Sequence, residues 1–564
     1  GSSVQGMQSR VGHCWRTSQA EMQKTFHDEF SGDADDCALC RARSLATTCA
    51  TESGDENGVY ATSVSEDHKI IPWEDIRRHN RPDDCWVVYE GKVYDVTSFV
   101  PNHPGGRTLW WQGGGRDITI LFNISHPPRV KEDTHIHKYG RYIGIADGPE
   151  NEGAPEYDWS SPFWCELKEK CWAKLFDLVR GYKGYEEGKF ANVTYREWDV
   201  TAFHAILTLV YLACFAFCMV LCPVAFRTVP PRPFEDGLEW TRVLVSAFLS
   251  APLAALAGLT MHEARHRDMG VFWYSPTDLS SVSTMRYMME HVWHHNWPNL
   301  PEKELEMDLF AYAPGLRQFP WQKHYCFHRL QWLYWPISFA LVIPAFILTD
   351  WWDWYFKGRV GKLYRGYTTF QEHFLFVAGH VFVPLTLFVP VLVMELRLGQ
   401  FNINDYWAQL INFLVILLGS SFWITIINVV GHLTEDELDD AKLQYKDFAR
   451  TQLAHSKTHS ADRMWMTWLV QGMNVQAEHH LFPTVPFKYL PALTPVVLET
   501  SKKYGVEFAD PYMSFGQALL SWWRRIRRLS NPEETCEGGN DIHFIAGDDC
   551  RKTERFSDDA SIPV

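Results

Sequence analysis

The sequence predicts a small α+β domain followed by an all-α integral membrane domain with four transmembrane helices and a helical cap on the cytosolic side. Three observations support this fold class. Short β-type runs, turns and single aromatic residues fill residues 66–147. Four later apolar runs reach the roughly 20 residues that a helix needs to cross a bilayer. Histidine clusters stand at the ends of these runs, where they can share one side of a membrane.

Composition limits the classes of partner. The formal net charge of -15 over 564 residues argues against nucleic acid. The thirteen cysteines show no paired framework, which predicts reduced thiols facing a cytosolic compartment. Residues 1–65 and 531–564 are polar and poor in aliphatic side chains, so we expect disorder at both ends of the chain.

The first ordered segment, residues 66–147, reads as a hairpin followed by histidines. The run Trp86–Tyr89, a turn at Gly91 and the run Val93–Val96 predict two paired strands. His103-Pro104-Gly105-Gly106 comes next, and His126 follows after 22 intervening residues. This W-x-x-x-x-G-x-V-Y-D-x-[ST]-x-F run with H-P-G-G resembles cytochrome b5. The resemblance implies haem b with His103 and His126 as axial ligands, an arrangement that favours one-electron transfer.

Residues 201–530 form the predicted membrane domain. The four spans are expected at about 202–222, 242–261, 374–395 and 407–430. A fifth run, 333–348, is shorter and contains Pro336 and Pro344, so we expect it to lie in the membrane interface. Four crossings place every histidine cluster on the side of the haem domain, whereas five would separate the clusters.

Two amphipathic segments flank this domain. Within the linker 148–200, Phe163, Leu167, Cys171 and Leu175 recur at helical spacing and predict a helix over 162–180. The stretch Trp522–Arg528 mixes aromatic and basic residues. It predicts either contact with an anionic lipid surface or a solvated charged helix.

The histidine clusters carry the chemistry. They read H-x-x-x-H, H-x-x-H-H and Q-x-x-H-H, and a further histidine ends the last apolar run. Spacings of three and four place side chains on one helix face, where two imidazoles can bind one ion. Many nitrogen donors and few carboxylates suit iron or zinc better than calcium or magnesium.

These clusters, behind a cytochrome b5-like segment, resemble the front-end fatty acyl desaturases. Asn474–Pro483 is similar to that family's N-x-Q-x-E-H-H-L-F-P, and Asp308 and Pro314–Arg317 also match its pattern. The resemblance implies a di-iron centre. Its implied ligands are His262, His266, His291, His294, His295, His432, Gln476, His479 and His480. Gln476 stands where other desaturases carry histidine and marks the front-end group. His328 and Gln331 are further residues that could line the active site.

The resemblance also implies an activity. It is insertion of a cis double bond into an unsaturated acyl chain of a lipid or coenzyme A, with O2 and with electrons from NADH through a cytochrome b5 reductase. Such a protein is expected in the endoplasmic reticulum membrane, multi-pass, with haem domain and histidines facing the cytosol. Two alternatives stay open: a sphingolipid long-chain-base desaturase, and a membrane electron-transfer protein with a non-catalytic metal site.

Overall fold

The computed structural model describes residues 69–130, 135–151, 154, 156–179, 209, 237–266, 290–299, 315–320, 322–360, 363–364, 366–377, 380–381, 385, 388–399, 401, 403–435 and 445–532. The expected disordered ends lie outside them, except residues 531–532, and so does the expected first span except residue 209. Two compact units result. One contains the described residues of Gly1–Glu150, Asp158–Ala202 and Pro495–Tyr504; the other contains those of Asn151–Tyr157, Phe203–Thr494 and Gly505–Val564.

A five-stranded sheet organises the first unit. Its strands are β1 (Ile70–Ile71), β2 (Asn80–Arg81), β3 (Asp84–Tyr89), β4 (Lys92–Asp95) and β5 (Arg141–Ala146). Their order is β1-β5-β4-β3-β2, and only the β1–β5 pair is parallel. The predicted hairpin is confirmed, because β3 and β4 pair and Gly91 takes a φ of 74° that a glycine turn permits.

Short helices complete this unit. They are α1 (Trp73–Ile76), α2 (Thr108–Gly113), α3 (Thr119–Ser125) and α4 (Pro162–Val179), with a 3-10 turn at Val100–Asn102 and a single helical turn at His137–Tyr139. Helix α4 buries Phe163, Leu167, Cys171 and Leu175, as the helical spacing predicted. Its Glu166 accepts hydrogen bonds from Lys503 Nζ at 2.6 Å and Tyr504 Oη at 2.7 Å. These polar contacts hold the chain segment 495–504 against α4.

The second unit is helical. Its longer elements are α5 (Gly237–His266), α6 (Gln331–Ala340), α7 (Val342–Trp352), α8 (Phe370–Val377), α9 (Val389–Leu398), α10 (Ile403–Val430), α11 (Phe448–His455), α12 (Met464–Val470), α13 (Gln476–Leu481) and α15 (Phe515–Arg528). Helix α14 (Thr494–Lys503) lies between α13 and α15 in the chain, but it belongs almost wholly to the first unit. Short 3-10 or π turns lie at Cys326–Leu330, Asp353–Lys357 and Leu490–Ala492, and a two-stranded ribbon pairs β6 (Arg359–Val360) with β7 (Leu363–Tyr364).

Helices α5 and α10 pack closely, which brings the histidines of α5 next to those that follow α10. A Cβ atom at Gly419 would lie 2.6 Å from Cβ of Ala251, so this glycine permits the close approach. One buried apolar cluster joins these two helices to α15, and it includes Leu259, Val430 and Trp522. Burial of that cluster stabilises the arrangement that carries the site.

Membrane-length helices are fewer in the described residues than the sequence predicted. Asp405–Val430 is long and apolar enough to cross a bilayer. Cys326–Ala340 and Val342–Lys357, which meet at 55°, would together qualify as one more. The expected second span is helical within α5 but does not pass the same test. The expected span 374–395 is described only in part: α8 and α9 cover its two ends, and most residues between Val377 and Val389 lie outside the described residues.

Helix α15 corrects the expectation for Trp522–Arg528. Trp522 and Arg525 are fully buried rather than facing lipid or water. Arg525 Nη1 donates to the Thr434 carbonyl at 2.8 Å, and its Nε donates to the Gln318 carbonyl at 3.0 Å. Arg524 and Arg527 remain exposed on the opposite face. The helix is therefore packed into the protein on one face and exposes basic side chains on the other.

Candidate metal centre and haem site

Four segments of the second unit bring the clustered histidines together. His262 and His266 lie one turn apart at the end of α5, and residues 290–294 form a helical turn that carries His291 and His294. His432 follows α10, and His479 and His480 lie on α13. All of these side chains are buried. The histidines that the sequence predicted as ligands therefore lie together in the structure.

The histidines divide into two groups. His262, His266, His291 and His479 can each offer a nitrogen, and these nitrogens lie within 4.8 Å of one another. A second set meets the same criterion and consists of His294, His432 and His480. Three or four imidazoles that converge from separate segments suit a transition metal. The arrangement is a site for two metals.

His295 and Gln476 lie beside these groups rather than within them. The ring centre of His295 is 4.1 Å from that of His480 and 4.6 Å from that of His266, so it neighbours both groups. Gln476 Nε2 lies 2.8 Å from His432 Nε2. Both residues remain predicted ligands. Either can also act by holding a neighbouring imidazole in place.

Burial keeps the imidazoles in the form that binds metal. Desolvation, together with neighbouring histidines, holds the pKa of His295 and of His480 well below the ordinary value. The neutral ring is the metal-binding form. The Nε2 atom of His480 has no hydrogen-bond partner among the described residues, as expected of a nitrogen reserved for a metal. The residues present therefore fit a pair of metal ions.

Three polar residues that the sequence did not single out contact the predicted ligands or, in one case, the buried Glu478 beside His479. His480 Nδ1 is 2.9 Å from Gln452 Oε1, which fixes Nε2 as the nitrogen facing the group. Asn299 Nδ2 donates to the His432 carbonyl at 2.8 Å and to the His455 carbonyl at 3.2 Å. Thr458 donates to the buried carboxyl of Glu478, whose pKa desolvation raises. No local spacing distinguishes these residues in the sequence, since their partners lie far along the chain.

Two residues expected as possible site residues have other contacts. Gln331 Nε2 donates to the Ile526 carbonyl at 2.7 Å, and its Oε1 accepts from the Arg317 amide at 2.8 Å. His328 accepts a hydrogen bond from the Tyr325 amide at the start of a 3-10 turn. These contacts are structural, so the expectation that Gln331 and His328 line the site is not supported. Asp308 and Pro314 lie outside the described residues.

The first unit holds a second histidine pair. The ring centres of His103 and His126 are 6.3 Å apart. Two metal–nitrogen bonds of about 2 Å each, plus the distance from each ring centre to its ligating nitrogen, come close to this separation. His126 Nδ1 lies 2.8 Å from the Phe122 carbonyl, so it donates there and leaves Nε2 for iron. The geometry fits a haem held from both sides.

The surroundings of this pair also favour ligation. Desolvation lowers the pKa of His103 to about 3 and that of His126 to about 4, which keeps both rings neutral. Gly105 keeps room beside the first ring, because a Cβ there would lie 2.8 Å from His103 Cε1. Two neutral axial nitrogens and no open position are suited to electron transfer rather than oxygen binding.

A buried histidine-rich site for two metals, in a chain that also carries a haem-type domain, defines a metal-dependent oxidoreductase with its own electron-transfer module. Comparison with known proteins agrees. Residues 72–145 match the family model for the cytochrome b5-like heme/steroid binding domain, and residues 238–512 match the fatty acid desaturase model. The chain belongs to the fatty acid desaturases with an N-terminal cytochrome b5 domain, and its homologues are of the front-end type.

Characterised relatives cover most of the chain. It is 25% identical over 487 residues to acyl-lipid (8-3)-desaturase B of Dictyostelium discoideum, covering 82% of this chain and 95% of the relative. Delta(5) fatty acid desaturase A of the same organism is 25% identical over 482 residues, covering 82% and 94%. Acyl-lipid (8-3)-desaturase of Physcomitrium patens is 26% identical over 483 residues, covering 82% and 92%.

Proposed function

We propose that the protein inserts a cis double bond into an unsaturated fatty acyl chain, between an existing double bond and the carboxyl end. The observation that carries this proposal is the pair of histidine groups, seven side chains whose donor nitrogens converge within 4.8 Å in each group. The names of the relatives supply the substrates to test first, acyl lipids desaturated at the (8-3) or delta(5) position.

The donor set favours iron as the metal of both groups. Imidazole nitrogens without carboxylates also suit zinc, but a closed structural zinc site needs four ligands and prefers cysteine. Loss of hydrogen from an unactivated methylene requires an oxidant, which two irons with O2 supply when bound. Gln452 holds the ring of His480 in a fixed orientation, Asn299 anchors the backbone at His432, and the buried walls exclude water from the reacting carbons.

The fused haem domain is proposed as the electron donor to this site. His103 and His126 would hold a haem from both sides, and a haem held in this way would pass single electrons rather than activate oxygen. We infer that a separate NADH-dependent cytochrome b5 reductase reduces it. The four-span frame, with histidines and haem domain on the cytosolic side of the endoplasmic reticulum, belongs to the same proposal.

Two measurements test the proposal. Yeast cells that express the full chain are fed a panel of unsaturated fatty acids, and the products are identified by mass spectrometry. A new double bond nearer the carboxyl end is expected, while an unchanged lipid profile would refute the activity. Metal analysis of purified protein should give about two non-haem irons per haem, one for each histidine group. Zinc alone would refute the iron assignment.

A further inference from the structure

The turn that follows α12 has an unusual backbone for its residue type. Gln471 is in the left-handed region, with φ 52° and ψ 49°. Residues other than glycine seldom adopt this conformation. Gly472 follows with φ 83°. Glycine at position 471 would meet the needs of the backbone more easily, so the glutamine side chain requires an explanation of its own.

That side chain is buried without a hydrogen bond. Gln471 is 0% exposed, and neither Nε2 nor Oε1 has a partner among the described residues. Buried amides are almost always paired, because loss of water is otherwise uncompensated. Strained residues concentrate at active sites and ligand contacts, and an unpaired buried amide calls for a ligand or a water that completes its bonding.

The amide lines a cavity that reaches the metal site. The cavity has room for about one water-sized group, and it is lined by His262 and His479 of the first group and by apolar side chains that include Val485, Phe487 and Leu490. Pockets for whole small molecules are larger, roughly 300–1,000 Å³. Only part of a ligand therefore fits here, beside the histidines.

The position of the amide is fixed by packing. A Cβ at Gly472 would lie 2.5 Å from Phe487 Cβ, so the turn is pressed against the cavity wall and cannot shift outward. The Gly472 amide also donates to the Thr467 carbonyl at 3.0 Å. A held amide in an apolar pocket is the usual means of orienting a ligand through a single polar group.

We propose that Gln471 binds the carbonyl oxygen of the acyl substrate and thereby sets how many carbons separate that carbonyl from the metal site. This inference rests on the proposed function. The carbonyl is the one strong hydrogen-bond acceptor of an acyl chain, so Gln471 Nε2 donates to it. A carbonyl bound in the same small cavity as His262 and His479 places the reacting carbons only a few bonds from the carboxyl end.

The test compares substrates with and without the carbonyl. One unsaturated chain is supplied as ester or ether on glycerophosphocholine, and as thioester or thioether on coenzyme A, to membranes that contain the full-length protein. Wild type should prefer the carbonyl form by about tenfold, the contribution of one hydrogen bond. Q471L should lose this preference and give products with a shifted double bond.

Q471G serves as the matched variant. It removes the amide but suits the left-handed backbone, so its iron content and melting temperature should equal or exceed those of wild type while the carbonyl preference is lost. If Q471G and Q471L keep the wild-type preference and double-bond position, the inference is wrong and the proposed function stands. If wild type converts none of the four substrates, the proposed function fails, and the inference fails with it.

Discussion

The protein carries two histidine sites that are built in opposite ways. His103 and His126 belong to one small domain and are separated by only 22 intervening residues. The metal groups draw on four segments between His262 and His480. The haem site can form from local structure, whereas the metal site exists only after distant segments have packed. Damage to one segment should therefore affect the two sites very differently.

The partners that orient the ligands follow the same division. His126 donates to the Phe122 carbonyl one turn earlier in its own helix. His480 depends on Gln452, which lies on α11, a different helix. Formation of α3 is enough to orient the predicted haem ligand His126. The predicted metal ligand His480, by contrast, needs a contact from a different helix. Metal affinity should thus be the more sensitive property.

The largest expected effect comes from H479A. The His479 ring lies 4.3 Å from that of His262 and 4.7 Å from that of His295, so its loss opens the first group. Desaturation should fall below detection and iron content should drop, while the reduced-haem spectrum stays normal. H324Q, at a half-buried histidine outside both groups, is the control. Loss of the haem spectrum in H479A would break the division into separate sites.

H103A is the converse experiment. The haem absorbance should disappear because one axial ligand is gone, and NADH-driven turnover with reductase should stop. The content of non-haem iron should remain near the wild-type value. H137A, which changes an exposed histidine of the same unit, should keep both signals. Unchanged turnover in H103A would mean that electrons reach the metal site from another donor.

Q452L should produce a smaller, graded loss. Without the acceptor at 2.9 Å, His480 can rotate or change tautomer, and loss of such a partner typically weakens metal affinity about 10–100-fold. Iron per haem should decline during dialysis against a chelator faster than in wild type. Q452E, which retains an acceptor oxygen, should restore retention. Equal iron loss in both variants would show that packing, rather than the hydrogen bond, is responsible.

The smallest expected effect concerns Lys168 in the haem unit. Its Nζ donates to the Asn123 carbonyl at 2.7 Å, and desolvation lowers its pKa to about 8. Below that pH its positive charge favours the reduced haem. The haem midpoint potential should therefore fall as the pH rises from 7 to 9 in wild type. Spectroelectrochemistry of K168M should show a lower potential at pH 7 without that slope, whereas K168R should stay high throughout.

Local patterns account for part of the site. Helical spacing placed His262 and His266 in one group, but His291 and His294, three residues apart, fall in different groups. The hairpin around Gly91 was identified from turn chemistry. Gln452 and Asn299 were missed, since no spacing links them to their partners. Contacts between distant segments are what the sequence does not reveal.

The same reasoning failed for α15, whose aromatic and basic residues resemble a surface pattern. The partners of Arg525 are carbonyls of Gln318 and Thr434, which precede it by more than ninety residues. Composition alone does not indicate that a basic residue will be enclosed by carbonyl groups. Trp522, fully buried in the same helix, shows the same effect.

The bond from Arg525 to the Thr434 carbonyl has a consequence for the order of biosynthesis. Thr434 lies two residues after His432, so the last helix supports the segment that supplies a ligand to the second group. A nascent chain that has emerged just beyond His480 contains every predicted histidine ligand but lacks this support. Metal loading should therefore wait until α15 has been synthesised and has packed. A stop codon just before Phe515 would yield a chain that contains all the predicted ligands but lacks the hydrogen bond from Arg525 to the Thr434 carbonyl.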